Sequence, residues 1–157
     1  MSKASGPVTR SAPRPVPFET TLLVRDCCLC LHVQRAARAL ARRFDVALRP
    51  LGLTNGQFSL LMSLNRPHPA RMASVAELLA MDRTTLTAAL KLLETRGLVR
   101  ITPDPEDRRS RLLELTRPGE KLLARAVPVW ERTHAEVEAQ LPRGGGTRLR
   151  KNLQKVV

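Results

Sequence analysis

From Thr21 to about Arg49 the apolar side chains Leu22, Leu29, Val33, Ala37, Leu40, Phe44 and Leu48 recur at helical spacing. That periodicity lays them on one face and predicts a long amphipathic helix, stopped by Pro50 and Gly52. Thr54 and Gln57 stand three apart, as in a capping box, where each side chain satisfies a free amide at a helix start. They open a predicted helix through Phe58, Leu61 and Leu64 that ends by Pro67, and residues 66–73 read as a loop. Ser74 and Glu77 repeat the capping-box spacing and predict a second, short helix. Asp82 is placed to cap a third helix with Leu86, Leu90 and Leu93 as its core stripe; Gly97 ends it, because glycine reaches the left-handed conformation without strain. Leu98, Val99 and Ile101 then alternate toward strand, as do Leu113 and Leu115 beyond a charged turn. Thr116 caps another long helix, with Pro128 inside it predicting a bend. Gly144, Gly145 and Gly146 break that helix, and the final TRLRKNLQKVV predicts an amphipathic one.

These elements imply a mainly α chain with a small β-hairpin, an α+β class. Two helices joined by a short turn, the second presented to a groove, form a helix-turn-helix, and the following hairpin has the place of a wing. The reading is a winged helix-turn-helix at residues 53–116, flanked by long N- and C-terminal helices at 18–52 and 117–157, all in one domain spanning 18–157. The apolar faces of the outer helices exceed what one small winged module covers. A second copy is the economical partner, so these are read as dimerisation helices of a homodimer.

Charge adds a partner to this picture. Lysine and arginine number 27 against 14 acids, a formal net charge of +13 over 157 residues. Such a chain is expected to meet polyanions, and arginines concentrated on a wing point to double-stranded DNA. Residues 1–17, rich in Pro, Ser and basic side chains, read as a disordered basic tail. No apolar run is long enough to span a bilayer and no signal peptide is apparent, so no membrane partner is expected. The three cysteines Cys27, Cys28 and Cys30 are an odd number crowded into one turn, which fits a reducing cytoplasm better than a disulfide framework. There is no nucleophile elbow, phosphate loop, zinc-protease helix motif or dinucleotide turn, so no catalytic residue, cofactor or metal site is expected.

With these residues laid out, the chain resembles the MarR family of winged-helix regulators over residues 20–156. The matching motifs are LRPLGLTNGQFSLL, LLETRGLV, DPEDRRSRLLELT and LTRPGEKL. The resemblance implies a triangular homodimer with interlocked terminal helices on a pseudo-palindromic operator. It also implies recognition helices in successive major grooves, wings in the flanking minor grooves, and repression relieved by a small-molecule effector or an oxidant. A sequence-neutral architectural DNA-binding protein is the alternative.

The expected DNA contacts are Arg83, Thr84, Thr85, Thr87 and Lys91 on the recognition helix, and Asp107, Arg108, Arg109 and Arg111 on the wing. Threonine can touch a thymine methyl or a phosphate, and arginine can pair with guanine or enter a narrow minor groove. The resemblance gives Asp107 the role of orienting Arg109. Ala88 and Ala89 stand where relatives often carry an arginine, which shifts weight toward shape readout. The resemblance also places Cys30 where hydroperoxide-sensing members carry their reactive cysteine; Cys27, at C-x-x-C spacing from it, or a cysteine across the dimer is the expected resolving partner, with Cys28 in the same redox cluster. Peroxides attack the thiolate, and Arg25 lies nearby in sequence. The chain departs from that branch in having no tyrosine; Gln34 and Phe44 hold the corresponding places. Cysteines that simply pack as small hydrophobes are the other reading. His32, Arg35 and Arg38 are candidates for holding the carboxylate of an effector.

Overall fold

The computed structural model describes residues 15–107 and 109–156. Most of the expected basic tail, together with Arg108 and Val157, lies outside the described residues. The described chain falls into two compact units, one ending at Arg38 and the other beginning at Ala39.

The first unit carries α1 (Phe18–Cys27) and the opening of α2 (Leu29–Leu48). The sequence predicts one continuous helix here, and the structure corrects it. Cys28 takes an extended backbone (ψ 105°) and its amide donates to the Val24 carbonyl at 3.0 Å, closing α1 before α2 begins. The break was invisible to periodicity because Leu22 and Leu29 stand seven apart and keep the helical phase on both sides of it. Leu23, Val24, Leu29 and Val33 are exposed.

The second unit takes in the rest of α2, a 3-10 turn at Arg49–Leu51, then α3 (Asn55–Ser63), β1 (Ala70–Arg71), α4 (Met72–Leu79) and α5 (Arg83–Thr95). After these come β2 (Val99–Pro103), β3 (Arg111–Leu115), α6 (Arg117–Glu138) and α7 (Gly145–Leu153). The Thr54–Gln57 capping box forms in full: Thr54 Oγ1 accepts the Gln57 amide at 3.2 Å, and Gln57 Oε1 accepts the Thr54 amide at 3.1 Å. Pro128 stands inside α6 without ending it, and α6 closes at Glu138, ahead of the glycine run. The glycine run therefore does not break α6: Gly144, at φ +73°, is the N-cap residue of α7, and Gly145 and Gly146 already belong to that helix.

Residues 66–73 are not all loop. Ala70 and Arg71 form an edge strand antiparallel to β3 in a three-stranded sheet of order β1-β3-β2, with Arg71 opposite Leu112. Because β1 runs straight into α4, that helix starts at Met72, and Ser74 falls inside its first turn. The expected Ser74–Glu77 box therefore does not form; the Ser74 hydroxyl donates instead to the Arg71 carbonyl at 2.8 Å.

The core of this unit gathers Phe44 and Leu48 of α2, Phe58 and Leu61 of α3, Val75 of α4, Leu86, Leu90 and Leu93 of α5, Leu113 of β3 and Leu123 of α6. Leu86, Leu90 and Leu93 are fully buried, each burial worth about 1.5–3 kcal/mol relative to exposure. They fix which face of α5 is turned outward. No helix among the described residues is long and apolar enough to cross a membrane.

Candidate nucleic-acid interface

The turn between α4 and α5 is set by two local devices. Ala80, a non-glycine, takes the left-handed conformation (φ +49°) to close α4. Two residues on, Asp82 caps α5: its Oδ1 accepts the Thr85 amide at 2.8 Å and its Oδ2 accepts the Thr85 hydroxyl at 2.6 Å. These bonds, the hydroxyl first and the amide second, hold the Asp82 carboxyl below the usual carboxylate range.

With its core stripe inward, α5 turns Arg83, Thr84, Thr87, Ala88 and Lys91 to the surface. The threonines expected to read DNA are partly committed elsewhere. Thr85 spends its proton on the Asp82 cap, and the Thr87 hydroxyl donates to the Arg83 carbonyl at 2.7 Å. Each keeps a methyl and acceptor lone pairs, so methyl contact suits these side chains better than donation. Ala89 is half-buried against the core and offers nothing to a groove.

The hairpin is a five-pair antiparallel ladder from Val99↔Leu115 to Pro103↔Arg111. Beyond it, the tip is closed by the Asp104 amide donating to the Ser110 carbonyl (3.2 Å) and the Ser110 amide donating to that of Asp107 (2.8 Å). Asp107 Oδ1 accepts the backbone amide of Arg109 at 3.0 Å. The acid thus acts on the turn that carries Arg109, through the backbone rather than the guanidinium. Arg108 is outside the described residues. Arg111 leans on the Ser110 carbonyl at 3.2 Å. Arg83 from the start of α5 and Arg109 and Arg111 from the wing line one cleft of about 460 Å³, with Met72, Ala73 and Ala76 of α4, Asp107 and Ser110. A positive, concave seam between a helix start and a hairpin is suited to a phosphate backbone.

Two further residues that the sequence did not single out also bear on the wing. Arg71 and the buried Asp104 are joined by an ion pair at 3.0 Å across 33 positions. Only the acidic run preceding the wing arginines hinted at it.

The cysteine cluster differs from expectation in its setting. Cys27 ends α1, Cys28 occupies the break, and Cys30 is the second residue of α2; all three are free, Cys27 and Cys30 exposed and Cys28 half-buried. Gln34 Nε2 donates to Cys30 Sγ at 3.2 Å and the Leu31 amide to Cys28 Sγ at 3.4 Å. Arg25 is not the cationic partner the sequence proposed, since its guanidinium is held by Asp26 at 2.6 and 2.9 Å. His32 Nδ1 meets the Cys28 carbonyl at 2.9 Å and Arg38 donates to Gln34 at 3.1 Å, while Arg35 is exposed. The three candidate effector ligands lie on exposed α2 surface. An apolar pocket of about 370 Å³ lies elsewhere, lined by Phe58, Met62, Leu78, Val127 and Trp130 among others, and His32, Arg35 and Arg38 take no part in it. Nothing in the sequence marked it, since its lining comes from α3, α4 and α6, which are brought together only by folding.

Comparison with known proteins places this geometry. The MarR family model matches residues 53–110, the stretch that holds the helix-turn-helix and most of the wing. The organic hydroperoxide resistance transcriptional regulator of Bacillus subtilis is 31% identical over 101 residues, covering 64% of this chain and 69% of that protein. The HTH-type transcriptional repressor NicR of Pseudomonas putida is 37% identical over 76 residues, 48% of each chain. The match covers between 48% and 66% of the length of the first curated relatives. Among solved structures, the transcriptional regulator MosR of M. tuberculosis in complex with DNA superposes with a TM-score of 0.75 at 39% identity, covering 82% of this chain and 92% of that one.

Proposed function

The chain belongs to the MarR family, and from that premise we propose that it is a transcriptional regulator that binds double-stranded DNA as a homodimer and acts as a repressor in the cytoplasm. The observation that carries the reading is the shared cleft between Arg83 at the start of the recognition helix and Arg109 and Arg111 on the wing. On this reading α5 enters a major groove, Thr84, Thr85 and Thr87 offer methyls to base edges, Lys91 meets phosphate, and Arg109 enters the adjacent minor groove. Asp107 sets the turn that presents Arg109. Solved relatives bound to DNA, MosR among them, support it.

Dimerisation is supported by apolar side chains turned outward on the outer helices: Leu29 and Val33 on α2, Leu149 and Leu153 on α7. Light scattering at micromolar concentration should give twice the chain mass; a monomer would defeat the dimer.

Release is assigned to one of two inputs. Thiol oxidation at exposed Cys30, resolved by Cys27 or Cys28, is supported by the likeness to a hydroperoxide resistance regulator. A small apolar effector is the second input, supported by the pocket at Phe58 and Trp130. Genomic DNA captured with the protein, with and without organic peroxide, tests both halves. A defined set of sites lost on peroxide treatment is the expected result. Uniform capture of all sequences, with steep salt dependence, would instead identify a sequence-neutral architectural protein.

A further inference from the structure

We propose that Arg71 is the positioning residue of the wing, clamping the hairpin tip to the strand from which α4 starts; this rests on the reading of residues 104–110 as a DNA-contacting wing. Arg71 belongs to neither strand of the hairpin. It sits on edge strand β1, paired only with β3, so its backbone is held independently of β2. From there its Nε donates to Asp104 Oδ2 at 3.0 Å and its Nη2 to Glu106 Oε2 at 3.1 Å. Asp104 is the first residue past β2 and only 3% exposed, and its other oxygen accepts the Glu106 amide at 3.0 Å. One guanidinium therefore holds two acids on the same tip segment.

A hairpin tip closed by its own bonds alone can hinge about the last ladder pair, here Pro103↔Arg111. An anchor from a third strand removes that freedom. Arg71 is also the N-cap residue of α4, and its carbonyl accepts the Ser74 hydroxyl, so the clamp ties the wing to the helix-turn-helix itself. The two contacts do not count equally. Glu106 is 80% exposed and its ion pair is screened by water, whereas Asp104 without Arg71 would be a buried carboxylate left, among the described residues, with the Glu106 amide as its donor. Lysine would keep the charge but lose the fork that reaches both acids.

The full chain tests this with Arg71→Gln and Arg71→Lys, each measured for amide hydrogen exchange at residues 106, 109 and 110 and for operator affinity. Each is made alone and in an Arg109→Ala background. Arg71→Gln should raise wing-tip exchange by about tenfold while the amides of Leu86–Leu93 stay protected, since only the local opening changes. Operator binding should weaken by roughly tenfold, as when one groove contact is lost, and Arg71→Lys should recover part of it. In the Arg109→Ala background the Arg71→Gln loss should vanish, because the contact it positions is already gone. Unchanged wing exchange overturns the proposal. So does an undiminished affinity while Arg109→Ala binds weakly, and so does an equal loss in both backgrounds, which would make Arg71 a general stabiliser. If Arg109→Ala alone binds as wild type, the wing reading has failed, and the exchange result by itself decides whether Arg71 holds the tip.

Discussion

Gly119, the third residue of α6, lies so close to Leu98 that a side-chain carbon at that position would overlap the Leu98 carbonyl oxygen. The same carbonyl accepts the Thr116 amide at 3.1 Å, and the Thr116 hydroxyl donates to the Gly97 carbonyl at 2.6 Å. Three adjacent contacts thus fasten the start of α6 to the segment that ends the recognition helix. A shift of α6 would be passed to α5 through backbone groups, which do not yield as flexible side chains do.

Gly119→Ala is expected to destabilise the chain. Alanine is the better helix former by up to ~1 kcal/mol, but the clash is with backbone and forces α6 away from Leu98. Overpacking of this kind costs about 1–3 kcal/mol. Urea unfolding should show a lower midpoint at an unchanged slope; a midpoint equal to wild type would show that α6 moves freely here.

Asp82→Ala removes the cap of α5, and its effect should depend on pH with a definite sign. The Thr85 hydroxyl and amide hold the folded Asp82 carboxyl below its ordinary value. The stabilisation is therefore complete above the unfolded pKa of about 3.9 and fades as pH falls through the lower, folded value. Thermal midpoints of wild type and Asp82→Ala should differ at pH 7 and draw together only as pH falls below about 4 and on through the lower folded value. A gap that persists into strong acid would assign the effect to something other than the carboxylate.

Arg109→Ala should cost operator affinity about 1–3 kcal/mol and reduce the slope of log affinity against log salt by about one. Asp107→Ala should reproduce part of the loss, because the Arg109 amide loses the carboxylate that holds it. Full affinity in Arg109→Ala would make the wing decorative.

Cys30→Ser should bind DNA as wild type does yet ignore organic peroxide, while peroxide weakens the wild type and dithiothreitol restores it. The sulfur is exposed near the start of α2 with Gln34 as its neighbour. In the proposed homodimer, oxidation there would repack an outer helix and so alter how two recognition helices span half-sites about 34 Å apart. An identical peroxide response in both proteins would leave the apolar pocket at Phe58 and Trp130 as the point of control.

By itself the sequence determined what local rules can carry. The Thr54–Gln57 box, the Asp82 and Thr116 caps and the left-handed Gly97 depend on groups a few residues apart, and each forms as its spacing requires. The stripe Leu86, Leu90 and Leu93 likewise follows from the 3.6-residue period, and it alone dictates which side chains of α5 face outward. Candidate DNA residues on α5 and the wing were legible for that reason. Tertiary structure decided the rest. A two-residue strand at Ala70–Arg71 has no period of its own and exists only because β3 offers a partner, and by forming it moved the start of α4 and left Ser74 without its expected cap. Asp104 looked like one acid among several in a charged turn until folding buried it and brought Arg71 to it across 33 positions. The break at Cys28 left no mark in the spacing of the apolar residues on either side of it, and the pocket at Trp130 is assembled from α3, α4 and α6, which no local pattern brings together. Spacing along the chain reports contacts that close within a turn or two; contacts that close across the sheet are decided by which strands and helices find each other.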